Sequence, residues 1–381
     1  MTMTPAEKPL VILFTGANER AVGAFCRSLE RDHIDFVLIT RNAQDALYRT
    51  RLRRHLFAQR TQDALDENEF KRLLLDIKAH HPTRPLTIAP SAESINRLLM
   101  GMQDWLCQEG IRGISVSPQI YHLFSDKEKL LAAAKVVGLE IPAQIEQLSE
   151  RQLPLVLKPR VESGPHGQRL YPLLVRNAAE YAEHASHYDA AHYLIQRYID
   201  GQSFYYLYFR NDAGVVALYQ RNIAQQAAGK SMVAAELVRC PDADTDQRLR
   251  ALLEQHQYCG FIMFEVMESA GQHFIIEANP RLWGPMQLAL ENGFRASWLV
   301  QDRHQAPQMA AQQRFLGIWQ RDKYLWLGGF VGQPRSDMRF FAGARSWLIN
   351  ACCWLPRYDI WFATDSLRLF FFEFLRSGKR Q

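Results

Sequence analysis

Apolar residues in the first third of the chain fall into short continuous runs separated by stretches with helical spacing. Residues 10–14 are all apolar and end at Thr15-Gly16, residues 21–29 carry a helical repeat, and 36–40 are apolar again. This order predicts a β-α-β opening with a parallel sheet, because strands buried on both faces read as unbroken hydrophobic runs. Residues 86–89 predict a third strand running through Pro90-Ser91-Ala92-Glu93 into a helix over 94–107. A short strand at 114–116 would complete a doubly wound unit spanning 1–120. Ser125-Asp126-Lys127-Glu128-Lys129 then opens a helix with Ser125 or Asp126 as its N-cap. That helix ends at Gly138, and residues 139–142 lead out extended. Strands follow over 154–159, 204–209 and 215–219, the last two joined as a hairpin around Asn211-Asp212-Ala213-Gly214, and residues 193–201 read as a strand running into a turn. An amphipathic helix is predicted over 246–257.

The strongest pattern lies in residues 260–287, GFIMFEVMESAGQHFIIEANPRLWGPMQ. Two apolar, β-branched and aromatic runs, 261–267 and 273–279, flank a Gly-containing turn and predict a β-hairpin. Side chains alternate along a strand, so Glu265 shares a face with Phe261 and Met263, and Glu277 and Asn279 share one with Ile275. A connecting loop with an odd number of residues would set Glu265 and Glu277 opposite each other on one face. Like charges so placed repel. A divalent cation between them removes the conflict, and two carboxylates with an amide oxygen suit Mg²⁺.

Composition narrows the class. The 381 residues are 48% hydrophobic and 22% charged, ordinary for a globular chain of two or three packed units. A formal charge of +5 is small for this length and is no nucleic-acid signature, but it suits anionic small molecules. The six cysteines form no CxxC pair and no zinc spacing. With no signal peptide and no apolar run of membrane-span length, the expectation is a reduced, cytoplasmic protein. The five arginines at 49, 51, 53, 54 and 60 predict a basic surface helix or loop.

FEVM followed by IIEANPRLWGP and Gly293 resembles the end of an ATP-grasp domain, of the biotin carboxylase and carbamoyl phosphate synthetase type. The resemblance runs through 120–295 by motif and through 1–120 by architecture. It implies an α/β and α+β chain: a Rossmann-like pre-ATP-grasp domain (1–120), a small ATP-grasp subdomain (121–190), a large subdomain with the metal site (191–300) and an aromatic-rich C-terminal extension (301–381). By the resemblance, Glu265, Glu277 and Asn279 hold Mg²⁺ or Mn²⁺ with ATP, and Arg281 orients the activated substrate. Lys127 and Lys158 reach the nucleotide phosphates. Gln196, Arg197, Tyr198 and Ile199 border the adenine, where the family commonly has Glu in place of Gln196, and Ser203 lies on the ribose side. Arg221 takes the place of a basic residue facing the phosphates or acyl intermediate. The loops at Ser163-Gly164-Pro165-His166-Gly167 and Ala227-Ala228-Gly229-Lys230-Ser231 correspond to phosphate-covering loops, with fewer glycines than the family usually has.

The activity so implied is a carboxylate–amine ligase: ATP phosphorylates a carboxylate, and an amine displaces the phosphate. An ATP-binding regulator without ligase activity is a second reading, favoured by the glycine-poor loops. A nicotinamide oxidoreductase is disfavoured, since Gly16-Ala17-Asn18-Glu19 lacks GxGxxG. In 301–381 the segments 345–355 and 366–375 could each form an amphipathic helix. A Phe-rich face with a basic tail can lie on a membrane surface, although packing on its own domain or on a second subunit, as a homodimer, is commoner.

Overall fold

Five consecutive buried apolar residues make Leu10–Phe14 (β1) the centre of a parallel sheet. Its partners are β2 (Asp35–Thr40), β3 (Leu56–Gln59), β4 (Leu86–Ile88) and β5 (Ile111–Arg112), in the order β3-β2-β1-β4-β5. The computed structural model describes residues 8–16, 18–160, 170, 172–185, 188–226, 229–310, 314–315, 318–319, 322–331, 338–341 and 358–377. The sheet departs from the sequence reading at its edges. The last strand is 111–112 and not 114–116, and the helix expected over 94–107 divides into Glu93–Gly101 and Gln103–Gln108 at Met102. The arginine-rich segment is a surface element as expected, with Arg51, Arg53 and Arg54 exposed, but Arg60 is buried, and the 3₁₀ turn Arg51–His55 leads into β3, which pairs with β2. Leu52 is buried there and Phe36 stacks on His55 at 4.1 Å, so apolar anchors between the arginines pull the segment onto the sheet.

A four-stranded antiparallel sheet contains β6 (Gln144–Ile145), β7 (Leu155–Pro159), β8 (Leu173–Val175) and β9 (Tyr193–Arg197), in the order β6-β9-β7-β8. Because β9 pairs with β7 from Leu155↔Arg197 to Pro159↔Tyr193, this small sheet extends to Arg197 and does not stop at 190.

The largest sheet is built from β10 (Gln202–Asn211), β11 (Gly214–Gln225), β12 (Met232–Val238), β13 (Gly260–Ser269) and β14 (Gln272–Asn279). After a separate short pair, β15 (Arg314–Phe315) and β16 (Ile318–Trp319), the chain returns to it with β17 (Lys323–Leu325) and β18 (Arg339–Phe340). The order is β14-β13-β10-β11-β12-β17, with β18 on β11. The segment after 301 therefore contributes two strands to the large sheet and is more than an appendage.

Alternation along β10 and β13 gives this sheet two apolar faces. Tyr206, Tyr208, Ile262, Phe264 and Val266 pack against the helices Pro118–Ser125, Lys127–Val136 and Ala243–Gln255. Tyr205, Leu207, Phe209, Phe261 and Met263 pack against Glu19–Arg31 and Met286–Glu291. The helix that starts at Lys127 thus rests on the large sheet. Helix Leu367–Ser377 inserts Leu369 and Phe370 into the second core. Residues 345–355 lie outside the described residues. Among those described, no helix is long and apolar enough to cross a membrane.

Candidate functional site

The hairpin β13–β14 turns through Ala270 and Gly271, both at positive φ (50° and 78°), which gives a two-residue connection between Ser269 and Gln272. Continued without interruption, that register would set Ile276 opposite Glu265 and send Glu277 to the other face. It is interrupted. Val266 pairs with Ile275, but Glu265 pairs with Glu277, so Ile276 is the extra residue of a β-bulge. The two glutamates do sit opposite each other, as the sequence suggested, although through a bulge in the strand and not an odd-length loop. Asn279, opposite Met263, shares their face.

The bulge also exposes a carbonyl. Lys158, buried in β7 of the small sheet, donates from Nζ to the Ile276 oxygen at 3.2 Å. Burial lowers its pKa to about 8 and the Lys127 charge acts the same way, while Glu277 and Glu265 oppose the shift. Lys127 opens its helix beyond the cap Asp126, whose carboxylate accepts from the amides of Glu128 and Lys129 at 3.0 Å each. Lys158 is therefore brought beside the two glutamates, and Lys127 lies near enough for its charge to act on Lys158.

Glu265 is 8% exposed, and its pKa is raised well above the carboxylate range, first by burial and then by the charge of Glu277. Among the described residues its hydrogen-bond donor is Ser203, Oγ to Oε1 at 2.7 Å. Ser203 accepts in turn from Asn222 Nδ2 at 2.7 Å, and Asn222 Oδ1 accepts from Gln220 Nε2 at 2.6 Å. Glu277 Oε1 accepts from Asn279 Nδ2 at 3.0 Å, which leaves the Asn279 oxygen as an acceptor beside the carboxylates. This corrects the expectation for Ser203: a fully buried hydroxyl engaged with Glu265 and Asn222 positions the carboxylate and is unavailable to a ribose. Gln220 and Asn222 escaped the sequence reading. Their signal was two polar residues at strand spacing in an apolar run.

On the small sheet, Val156 pairs with Gln196 and Lys158 with Leu194, so Gln196 shares the Lys158 face, the one turned to the large sheet. Its side chain is fully buried, and neither Nε2 nor Oε1 has a partner among the described residues. A buried amide left so is costly, and one donor beside one acceptor suits the edge of a planar base. Arg197 lies exposed on the other face. The amides of Arg197 and Tyr198 already donate to the carbonyls of Ala143 (2.9 Å) and Pro154 (3.2 Å), so those two groups do not read a base. Ile199 follows, half-buried.

Arg281 Nη1 donates to the carbonyl of Leu282 at 3.1 Å, and its Nε is buried with no partner among the described residues. The loop it belongs to is held at the C-terminal ends of the parallel strands: Leu282 N donates to Pro90 O (2.9 Å), and Asn18 Nδ2 to Leu282 O (2.7 Å). Strand order reverses between β1 and β4, the place where open parallel sheets collect ligands. A Cβ at Gly284 would lie 3.2 Å from Nη2 of Arg20, so that side chain would have to shift by a few tenths of an ångström to admit one.

Arg221 is not part of this assembly. It pairs with Phe204 in β10, hence projects from the face opposite Glu265, and forms an ion pair with Glu236. One residue too many along the strand puts it on the wrong side. Arg339, which the sequence did not single out, does belong. It lies over the Tyr198 ring at 5.2 Å, pairs with Asp200 at 3.5 Å and lowers the pKa of Glu265. The loop 163–167 and residues 227–228 lie outside the described residues.

No protein-family model matches the chain, and no curated protein sequence matches it. Solved structures do. The ADP complex of purK, N5-carboxyaminoimidazole ribonucleotide synthetase, is 13% identical over 77% of this chain and 76% of that one, with a TM-score of 0.56. Biotin carboxylase from Campylobacter jejuni is 14% identical over 76% and 70%, with a TM-score of 0.56. The biotin carboxylase domain of Hydrogenobacter thermophilus 2-oxoglutarate carboxylase, in complex with MgADP, ADP and bicarbonate, is 13% identical over 76% and 68%, again at 0.56. At these identities the likeness is one of fold: the mixed sheets of this chain take the ATP-grasp fold seen in these structures.

Proposed function

We propose that this chain is an ATP-dependent ligase that activates a carboxylate as an acyl phosphate and joins it to an amine. The observation that carries the reading is the bulged hairpin: Glu265 and Glu277 forced onto one face, with Lys158 of the small sheet on the bulge carbonyl. Two opposed carboxylates, Glu265 buried and Glu277 half-buried, with an amide oxygen beside them fit Mg²⁺, or Mn²⁺, in the donor types such a cation takes. When bound, the cation would supply positive charge to the phosphate oxygens of ATP.

The chain's own groups account for the rest. Gln196 offers its buried amide to the base, and Lys158, from the same face of the small sheet, holds phosphate oxygens together with Lys127. The guanidinium of Arg281, fixed beside Pro280, presents a planar fork to carboxylate or phosphoryl oxygens. A substrate carboxylate oxygen attacks the γ-phosphorus and ADP departs. The amine nitrogen then attacks the acyl carbon, phosphate leaves, and the nitrogen gives up a proton. In this reading residues 1–120 supply the strand ends that floor the acceptor site, the small and large sheets enclose the nucleotide, and the segment after 301 closes the large sheet.

The test is a phosphate-release screen with Mg²⁺ and ATP. Bicarbonate, amino acids, sugar acids and peptides are offered as carboxylates, each with ammonia or an amino acid as acceptor. Release that requires one carboxylate and disappears in Glu277→Gln is the expected result. Saturable Mg²⁺–ATP binding with no turnover under any pair would replace the ligase with an ATP-binding regulator.

A further inference from the structure

Seven large apolar side chains are exposed among the described residues, and four of them, Leu367, Phe371, Phe374 and Leu375, lie on one helix, Leu367–Ser377. Spaced i, i+4, i+7 and i+8, they share one face. Exposures of 38%, 52%, 45% and 66% leave a continuous apolar stripe in water. The opposite face is committed, with Leu369 and Phe370 in the core. The helix carries one acid, Glu373, and that side chain turns inward to accept from Trp326 Nε1 at 2.8 Å.

The surroundings of the stripe are basic, and the tertiary fold makes them so. Arg51 N donates to Asp365 O at 2.7 Å, which ties the arginine-rich turn to the start of the helix. The Arg49 guanidinium sits 3.8 Å over the Phe372 ring. Arg54 is neutralised by Glu30 at 2.6 Å, whereas Arg51, Arg53 and Arg368 are exposed without an ion pair to any described residue. The sequence continues through Arg376, Lys379 and Arg380. Two features far apart in sequence, the arginine run and the phenylalanine-rich helix, thus form one patch.

We propose that this patch docks the protein on an anionic lipid surface, the stripe entering the acyl boundary while the arginines meet the headgroups. An apolar helix face with a basic border is the pattern of interfacial helices. A second copy of the chain is a poorer occupant, because a symmetric contact would bring two arginine clusters together.

Flotation of the full chain with vesicles tests this. The chain should float with vesicles containing phosphatidylglycerol, release as salt rises, and stay behind with phosphatidylcholine alone. Phe371→Gln and Phe374→Gln should each weaken binding about tenfold. Arg51→Gln and Arg53→Gln should each cost about fivefold and reduce the salt dependence. All four positions are exposed, so unchanged thermal melts would establish that folding is intact. No flotation with anionic vesicles, equal flotation with both kinds, or undiminished flotation of the phenylalanine variants would overturn the proposal. So would a wild-type dimer by sedimentation that these variants convert to a monomer without any vesicle binding.

Discussion

Two of the places where this molecule buries a carboxylate, at Asp359 and at Glu265, treat it differently. Near the C-terminal helix, Asp359 is 1% exposed and accepts three backbone amides, from Leu327 (2.7 Å), Trp361 (2.8 Å) and Phe362 (3.0 Å). Those bonds shape the loop at 359–362 and pin it to the start of the helix Leu327–Val331. In the β13–β14 hairpin, Glu265 has one hydroxyl donor and Glu277 one amide donor among the described residues, and the two acids face each other. The first acid is saturated by the chain. The second pair is held in place yet left with unfilled lone pairs, which is what a site for an external cation requires. Burial alone would not separate them, since it raises the pKa of both Asp359, to about 6, and Glu265. The inventory of partners does.

The sharpest break of that comparison is Glu277→Gln. Mg²⁺-dependent ATP turnover should fall by about three orders of magnitude or more, while apo stability holds or rises by about 0.5 kcal/mol as the repulsion disappears. Phosphate release and a thermal melt read both. Stability lost along with activity would mean that the acid is structural. Arg281→Lys should come next, lowering kcat about a hundredfold with nearly normal Mg²⁺–ATP affinity, because a point charge cannot copy a two-pronged contact that strengthens in transfer.

Asp359→Ala should invert the pattern. Three orphaned amides predict a loss of about 3 kcal/mol in denaturant unfolding, with turnover per folded molecule intact. Lys158→Ala should weaken ATP by about tenfold and adenosine hardly at all in titrations, and equal losses would leave the lysine a purely structural role.

The pH dependence is the finest probe. Both acids have folded pKa values raised above their ordinary ones, so each contributes stability at low pH that is lost as pH rises. For Asp359 the window runs from 3.8 to about 6, and for Glu265 it opens at 4.5 and extends above the usual carboxylate range. Mg²⁺ should recover the part belonging to Glu265 and release protons on binding, leaving the Asp359 part untouched. A melt series in which Mg²⁺ changes nothing, or in which Glu265→Gln fails to flatten the curve, would remove the distinction.

Local pattern determined a good deal of this protein. The unbroken apolar run at Leu10–Phe14 marked a strand buried on both faces, Asp126 marked a helix start, and the acid spacing in 265–279 marked a hairpin that gathers oxygen ligands. These are properties of neighbouring residues, and neighbours are what periodicity and capping report. The tertiary structure decided the rest. Which face Glu277 takes depends on a one-residue bulge that alternation cannot foresee, and Lys158, 118 positions away, meets that bulge only when two sheets pack. Ser203 reads as a ribose contact until β13 is laid beside β10, and Arg221 reads as a site residue until its strand is counted to the wrong face. Arg339 reaches the site, and Arg51 meets the last helix, through contacts between segments separated by more than a hundred residues. Such contacts are set by the burial of apolar faces across the whole chain, a free energy that no local window contains.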